Sequence, residues 1–221
     1  RIPGAKADAA LLEALGKADD KLKIGMVNSL GDRGCREAVD KLVGLLGSPN
    51  EELVLASLAA LGRIDSDSAV AAVAKARGSV PAKLKPAACD AYLECAARML
   101  KQGKAEAALA IYRQLYSPEE PTLCRVAALN GLVAAQKDQS ISLVIAALGD
   151  KDAEVRRVAV PALRNVPGAN ATQAIVAELS RQGEGVHAQL LGVLADRGEP
   201  AALSAVVKAT EAAPPAVRVA A

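Results

Sequence analysis

Few residues in this sequence could do chemistry, and they are scattered. Four cysteines, Cys35, Cys89, Cys95 and Cys124, and a single histidine, His187, make up the soft metal ligands and the thiol and imidazole nucleophiles. A zinc site pairs its ligands about two to four residues apart. No such Cys-x-x-Cys spacing occurs here, and no cysteine has a histidine close by in sequence. The cysteines therefore read as four thiols packed like small apolar side chains. One disulfide between neighbouring helices is the alternative, so the count leaves the compartment open. His187 has no second histidine to form a metal pair and reads as a surface or capping residue. Asp65, Asp67, Asp150 and Asp152 fall in turn-like stretches, where capping of the next helix accounts for carboxylates. No G-x-S-x-G, no phosphate-cradling glycine loop and no H-E-x-x-H is present. The inventory predicts no catalytic residues, no metal and no cofactor.

The elements that carry these residues are helical. Hydrophobic residues make up 52% of the chain, yet Trp and Phe are absent and Tyr occurs three times. The core must then be built from Leu, Val, Ile and Ala, a mixture rich in the best helix former and poor in strand-favouring aromatics. With 27 basic and 25 acidic residues the net charge is +2, which gives no general pull toward nucleic acid or anionic membrane. No apolar run approaches the roughly 20 residues needed to span a bilayer. The opening Arg1-Ile2-Pro3-Gly4 has neither an initial Met nor a signal-peptide pattern. That predicts a segment of a longer protein or a chain whose leader has been removed, cytoplasmic in the first case, periplasmic or secreted in the second.

An internal repeat organises the whole chain. Written in lines that begin at Leu22, Leu53, Leu84, Leu123, Val155, Val186 and Val217, the sequence advances in steps of 31, 31, 39, 32, 31 and 31 residues. Leu22-Met26-Leu30, Val155-Ala159-Leu163 and Val186-Leu190-Leu194 place apolar residues at i, i+4 and i+8, one face of a helix. A second apolar stretch lies twenty residues on, around Leu42, Val73, Leu143, Ile175 and Val206, and Leu11 holds the same register before the first line. Gly31-Asp32-Arg33-Gly34, Pro167-Gly168-Ala169-Asn170 and Asp196-Arg197-Gly198 separate the helices within lines. Gly47-Ser48-Pro49-Asn50, Gly149-Asp150-Lys151-Asp152 and Pro214-Pro215 separate the lines. Each line is helix, turn, helix, turn.

The stretch Asp152-Ala153-Glu154-Val155-Arg156-Arg157-Val158-Ala159-Val160-Pro161-Ala162-Leu163 resembles the first helix of a HEAT repeat in its short bacterial form: an acidic turn, Val-Arg, then Ala and Ala-Leu at fixed places. Leu53 to Gly62 and Val217-Arg218 are similar but less complete. Pro161 fits the proline kink that such first helices often carry. The resemblance implies an all-α, right-handed α-solenoid of about six to seven stacked antiparallel helix pairs, a single array over residues 1–221. Second helices are expected to line its concave side. Solenoid ends need polar caps, and Val217, Val219 and Ala221 do not form one, which predicts flanking repeats in the parent protein. The iron-binding helical-repeat hydroxylases use several His–Glu pairs, and one histidine does not resemble them.

The line from Leu84 to Thr122 is eight residues longer than its neighbours. Its stretch Met99 to Tyr116 resembles a tetratricopeptide-type helix pair, so a longer repeat is expected in the middle of the array. All three tyrosines lie within it. Tyr92 holds the register of Leu61 and Leu163, which predicts packing. Tyr112, Arg113 and Tyr116 are the candidate partner-binding residues, because Tyr and Arg are favoured at interface hot spots. Of these, Tyr116 and Arg113 are the expected exposed members. Lys75 and Lys208 share a register in their second helices, but Gly44, Ile145 and Ala177 stand there in other repeats, so no basic ladder for nucleic acid is expected. Together these features predict a non-catalytic scaffold that binds a protein partner, with no nucleic acid and no membrane insertion. The alternatives are an accessory of a tetrapyrrole-attaching phycobilin lyase, whose short HEAT repeats the chain resembles, and a structural spacer in a larger protein.

Overall fold

A computed structural model describes residues 4–211 and 215–220. Arg1-Ile2-Pro3, Pro214 of the last predicted turn and Ala221 lie outside the described residues. First helices α2 (Asp20–Arg33), α4 (Glu51–Arg63), α6 (Lys85–Lys101), α8 (Thr122–Gln136), α10 (Ala153–Asn165), α12 (Glu184–Arg197) and α14 (Pro215–Ala220) carry the predicted line starts, except Leu84, which lies in the 3-10 turn Ala82–Leu84 just before α6. They alternate with second helices α1 (Ala5–Leu15), α3 (Val39–Leu45), α5 (Asp67–Ser79), α7 (Ala105–Leu115), α9 (Ile141–Ala147), α11 (Ala169–Leu179) and α13 (Leu203–Ala209). No strand occurs among the described residues.

Local chemistry sets the helix ends. Asp19 accepts a hydrogen bond from the Leu22 N–H, Asn50 from Glu52 and Leu53, Ser66 from Ala69, and Asp152 from Glu154. These caps satisfy donors that a first helical turn leaves open. Gly34 (φ 66°) and Gly198 (φ 61°) end α2 and α12 in the left-handed conformation. Pro161 sits inside α10, which continues past it to Asn165.

The chain divides into two compact units, Arg1–Leu115 and Tyr116–Ala221. The division falls in the enlarged repeat. There α6 runs for 17 residues, and α7 ends at Leu115 ahead of a connection holding Pro118 and Pro121, which cannot continue a helix. In the first unit α2 packs on α4, α4 on α6, and α6 on α7. In the second, α10 packs on α8 and α12, and α12 on α14, over a core that includes Leu129, Val144, Val155, Leu163, Ile175 and Leu190.

Burial corrects the register of one repeat. Leu123, the expected start of its line, is 80% exposed, and the buried residue at that place is Cys124. The repeat then runs from Cys124 with Ala128 and Leu132 beneath it, 31 residues ahead of Val155, and its second helix turns Val144 rather than Leu143 into the core. Cys35 and Cys95 are buried free thiols. Cys89 and Cys124 are buried but not free, which departs from the expectation of four thiols.

The first helices of the first unit approach so closely at two glycines that no side chain fits there. A Cβ built on Gly31 of α2 would lie 2.7 Å from Ala60 Cα of α4, and one on Gly62 of α4 would lie 2.9 Å from the Ala91 carbonyl oxygen of α6. Gly31 and Gly62 are 31 residues apart, as are Ala60 and Ala91. One contact is thus repeated at successive interfaces.

A second device ties turns to the next first helix. Arg33 bonds Asp8 and donates to the Gly4 carbonyl. Arg197 donates to Thr172 Oγ1 at 2.7 Å and to the Gly168 carbonyl at 2.9 Å. The partners stand 25 and 29 residues back in both cases, and each arginine precedes a left-handed glycine, so the same staple occurs in each unit. Arg197 also donates to the Leu163 and Val166 carbonyls at the end of α10. The Asp-Arg-Gly triplets read in sequence only as turns are these staples.

Two glycines of α2 separate close packing from helix propensity. Gly31→Ala is expected to lower the stability of the chain by about 1–3 kcal/mol through overlap with Ala60. Gly25→Ala, where nothing lies within 4 Å of the new Cβ, is expected to raise it by up to about 1 kcal/mol. Urea midpoints of the two variants check both signs.

Candidate functional site

The structure places the three residues singled out in sequence in different surroundings. Tyr112 is buried in α7, and Arg113 beside it is exposed. Tyr116 lies outside α7 and is half-buried rather than exposed, because its ring packs on the core of the second unit beneath Arg125, whose Cζ lies 5.5 Å from the ring centroid. Tyr92 is buried in α6, donates to Gln114 Oε1 at 3.1 Å, and has Arg77 over its ring at 5.0 Å. Burial pushes the hydroxyls of all three tyrosines up in pKa, so they stay neutral and act as packing groups with a polar tip.

Arg125, buried in α8, is the centre of a charged cluster. It donates to Asp150 at 2.5 Å, lies 3.7 Å from Asp152 and stacks on Tyr116. Asp150 also accepts from the Asp152 N–H at 2.8 Å, and Asp152 accepts from the Thr122 hydroxyl while capping α10. Burial works to raise the Asp150 carboxyl, but the Arg125 bond and the Asp152 N–H outweigh it and leave the group below its ordinary value. Asp152 is lowered first by the Thr122 bond. Two inter-helix aspartates therefore do more than cap: they neutralise a buried arginine.

The second helices of the second unit carry a partly exposed aliphatic row. With the register set by Cys124, Ile145 of α9, Val176 of α11 and Val207 of α13 hold one position at 31-residue spacing. Ile145 and Val176 are half-buried and Val207 is exposed. Ala146, Ala177 and Lys208 follow them as an exposed row. Leu203, one turn before Val207, is exposed too. Between α11 and α13 a groove of about 500 Å³ has Val176, Leu179, Ala205 and Ala209 in its walls, with His187, Lys208 and Glu211 among its polar groups. His187 Nε2 is buried there without a hydrogen-bond partner. Sequence reasoning left this aliphatic row unseen, because starting the line at Leu123 put Ile145 in the register of Lys208 instead of Val207. Among the described residues no group of three or more His, Cys, Asp or Glu side chains could hold a metal ion, and no helix is long and apolar enough to cross a membrane.

The Arg125 cluster sets an acid limit. A carboxyl held below its unfolded value contributes stability above that value, here 3.8, and loses it as pH falls through the lower folded one. Urea midpoints are expected to drop as pH is taken below about 4. Asp150→Asn should flatten part of that drop and cost roughly 1–3 kcal/mol at pH 7. An unchanged pH profile in the variant would remove Asp150 from the account.

Residues 9–92 match the family model for HEAT repeats. No curated protein matches the chain. Among solved structures, the Escherichia coli protein YibA is 16% identical with a TM-score of 0.51, covering 100% of this chain and 86% of its own. Human deoxyhypusine hydroxylase, solved in complex with glycerol, is 18% identical with a TM-score of 0.43, covering 99% and 83%. At such identities the first likeness speaks for fold alone, and the second carries no further weight. Residues 9–92 thus carry HEAT repeats, and the same helix-turn-helix design continues beyond them.

Proposed function

We propose that the chain is a non-catalytic scaffold that binds a protein partner through the second-helix face of its second unit. The observation that supports this reading is the aliphatic row Ile145, Val176 and Val207, backed by the alanines of α9 and α11 and continued by the groove between α11 and α13. A fixed row of β-branched side chains on a rigid helical support loses little rotamer freedom on docking. Apolar anchors ringed by polar groups are how protein interfaces concentrate their energy. Lys208, Glu211 and His187 supply such polar groups and would set the orientation of what binds. Arg113, exposed on α7, enters as a separate polar contact of the first unit.

Affinity capture from lysate of the source organism, followed by cross-linking and mass spectrometry, tests the reading. One stoichiometric protein cross-linked to α11 or α13 is expected. It should be lost from the Val176→Asp/Val207→Asp double variant, and Arg113→Ala should weaken it less. Circular dichroism checks that both variants keep their helices. An eluate coloured by a bound tetrapyrrole, or capture indifferent to the double variant, would overturn the proposal.

A further inference from the structure

The groove among α11, α12 and α13 carries polar groups that the same place one repeat earlier does not. Residues 31 positions apart hold equivalent places, so Ala209 of α13 stands where Glu178 stands on α11, and Lys208 where Ala177 stands. His187 of α12 likewise stands where Arg156 stands on α10. Glu178 is buried and engaged, its Oε1 accepting from Gln182 at 2.6 Å. Arg156 is engaged too, donating to the Asp150 and Lys151 carbonyls at 2.7 and 3.0 Å. At the groove both commitments disappear. A methyl group replaces the buried carboxyl and leaves room. The imidazole that replaces the guanidinium keeps its Nε2 buried with no hydrogen-bond partner among the described residues.

Buried polar atoms are nearly always satisfied, so an unpaired ring nitrogen on a residue lining a groove marks a place for a ligand atom. Two charges line the same groove, Lys208 on α13 and Glu211 just past its end. Neither forms an ion pair with a described residue. A simple acid would meet Glu211 as a like charge, and a simple amine would meet Lys208 as one. A molecule that carries both signs fits both groups. The walls, Val176, Leu179, Ala205 and Ala209, are aliphatic throughout, and the volume of about 500 Å³ lies in the ordinary range for small-molecule sites.

We propose that this groove binds a free aliphatic α-amino acid of the leucine type. The carboxylate pairs with Lys208 and accepts from the His187 Nε2–H, the ammonium pairs with Glu211, and the side chain lies on the aliphatic walls. Charged hydrogen bonds of both signs fix the orientation of the ligand, and the walls select an apolar side chain over a polar one. The site adjoins the face assigned above to a protein partner and does not depend on it, because leucine binding is measured with this chain alone.

Equilibrium dialysis of the full chain against radiolabelled leucine is expected to show saturable one-to-one binding. Isocaproate, which lacks the ammonium, and isoamylamine, which lacks the carboxylate, should each compete about tenfold less well. Lys208→Gln should weaken leucine about tenfold and leave isoamylamine unchanged, whereas Glu211→Gln should weaken leucine and leave isocaproate unchanged. Both residues are exposed, so the fold should survive these changes. Ala209→Glu, which restores the carboxyl carried at the equivalent place on α11, should abolish binding, with circular dichroism checking that the helices remain. No saturable binding, or binding indifferent to both charge variants, sinks the proposal. So would isocaproate competing as well as leucine, since Glu211 would then read nothing.

Discussion

The architecture of the first unit rests on the distance between its first helices. Where Gly31 meets Ala60 and Gly62 meets Ala91, the backbones are too close for any Cβ on the glycine. This spacing is felt along the entire helix, because the residues one and two turns away must mesh at the same separation. Leu53, Ser57 and Ala60 can be buried together on one face of α4 only because α2 lies that near. Ser57, buried with no side-chain partner on another helix, returns its hydroxyl to the Leu53 carbonyl at 2.7 Å and so costs little within a dry contact.

The second unit reaches a stacked arrangement by other means. Gly185 and Gly192 of α12 have nothing within 4 Å of an added Cβ, and a charged cluster ties neighbouring helices. Arg125 joins α8 to the Asp150–Asp152 turn, Thr122 bonds the Asp152 cap, and Arg164 pairs with Asp196 at 2.7 Å. Each bond spans roughly one repeat, so each acts between neighbours. The Arg33 and Arg197 staples show the principle common to both units: an arginine at the end of one first helix occupies the backbone acceptors of the turn before it. Stability of such a stack is set by local interfaces rather than by one global core.

Helix pairs are legible in this sequence because period and punctuation agree. Apolar spacing finds each face, and Asp, Asn, Ser and Gly mark the ends that the structure shows capped. What periodicity cannot supply is the identity of the buried residue where two neighbours compete. Leu123 is the larger hydrophobe, yet the helix turns Cys124 inward, and the one-residue slip carried through to α9. It placed Leu143 where Val144 belongs and concealed the row formed by Ile145, Val176 and Val207. The tyrosines illustrate a second limit. Register correctly assigns Tyr92 to packing, but the half-burial of Tyr116 depends on Arg125, a residue nine positions away whose role is set by the turn it neutralises.

Where residues sit around a helix also decides what remains for recognition. First helices commit two faces to their neighbours and spend their ends on staples and caps. Second helices pack inward through Leu42, Val73, Val144 and Ile175, and the residues that follow these in sequence reach solvent at least in part. Charged residues would be the unconstrained choice for such positions, as Asp40 and Lys41 on α3 illustrate. On α9 and α11 the corresponding surface instead carries Ile145 and Val176 with alanines beside them. Ile145 and Val176 pack in part against the core of the second unit and leave the rest of their aliphatic surface open, fixed in conformation by that packing. Val207 follows them at the same 31-residue interval, which is the interval of the repeat itself.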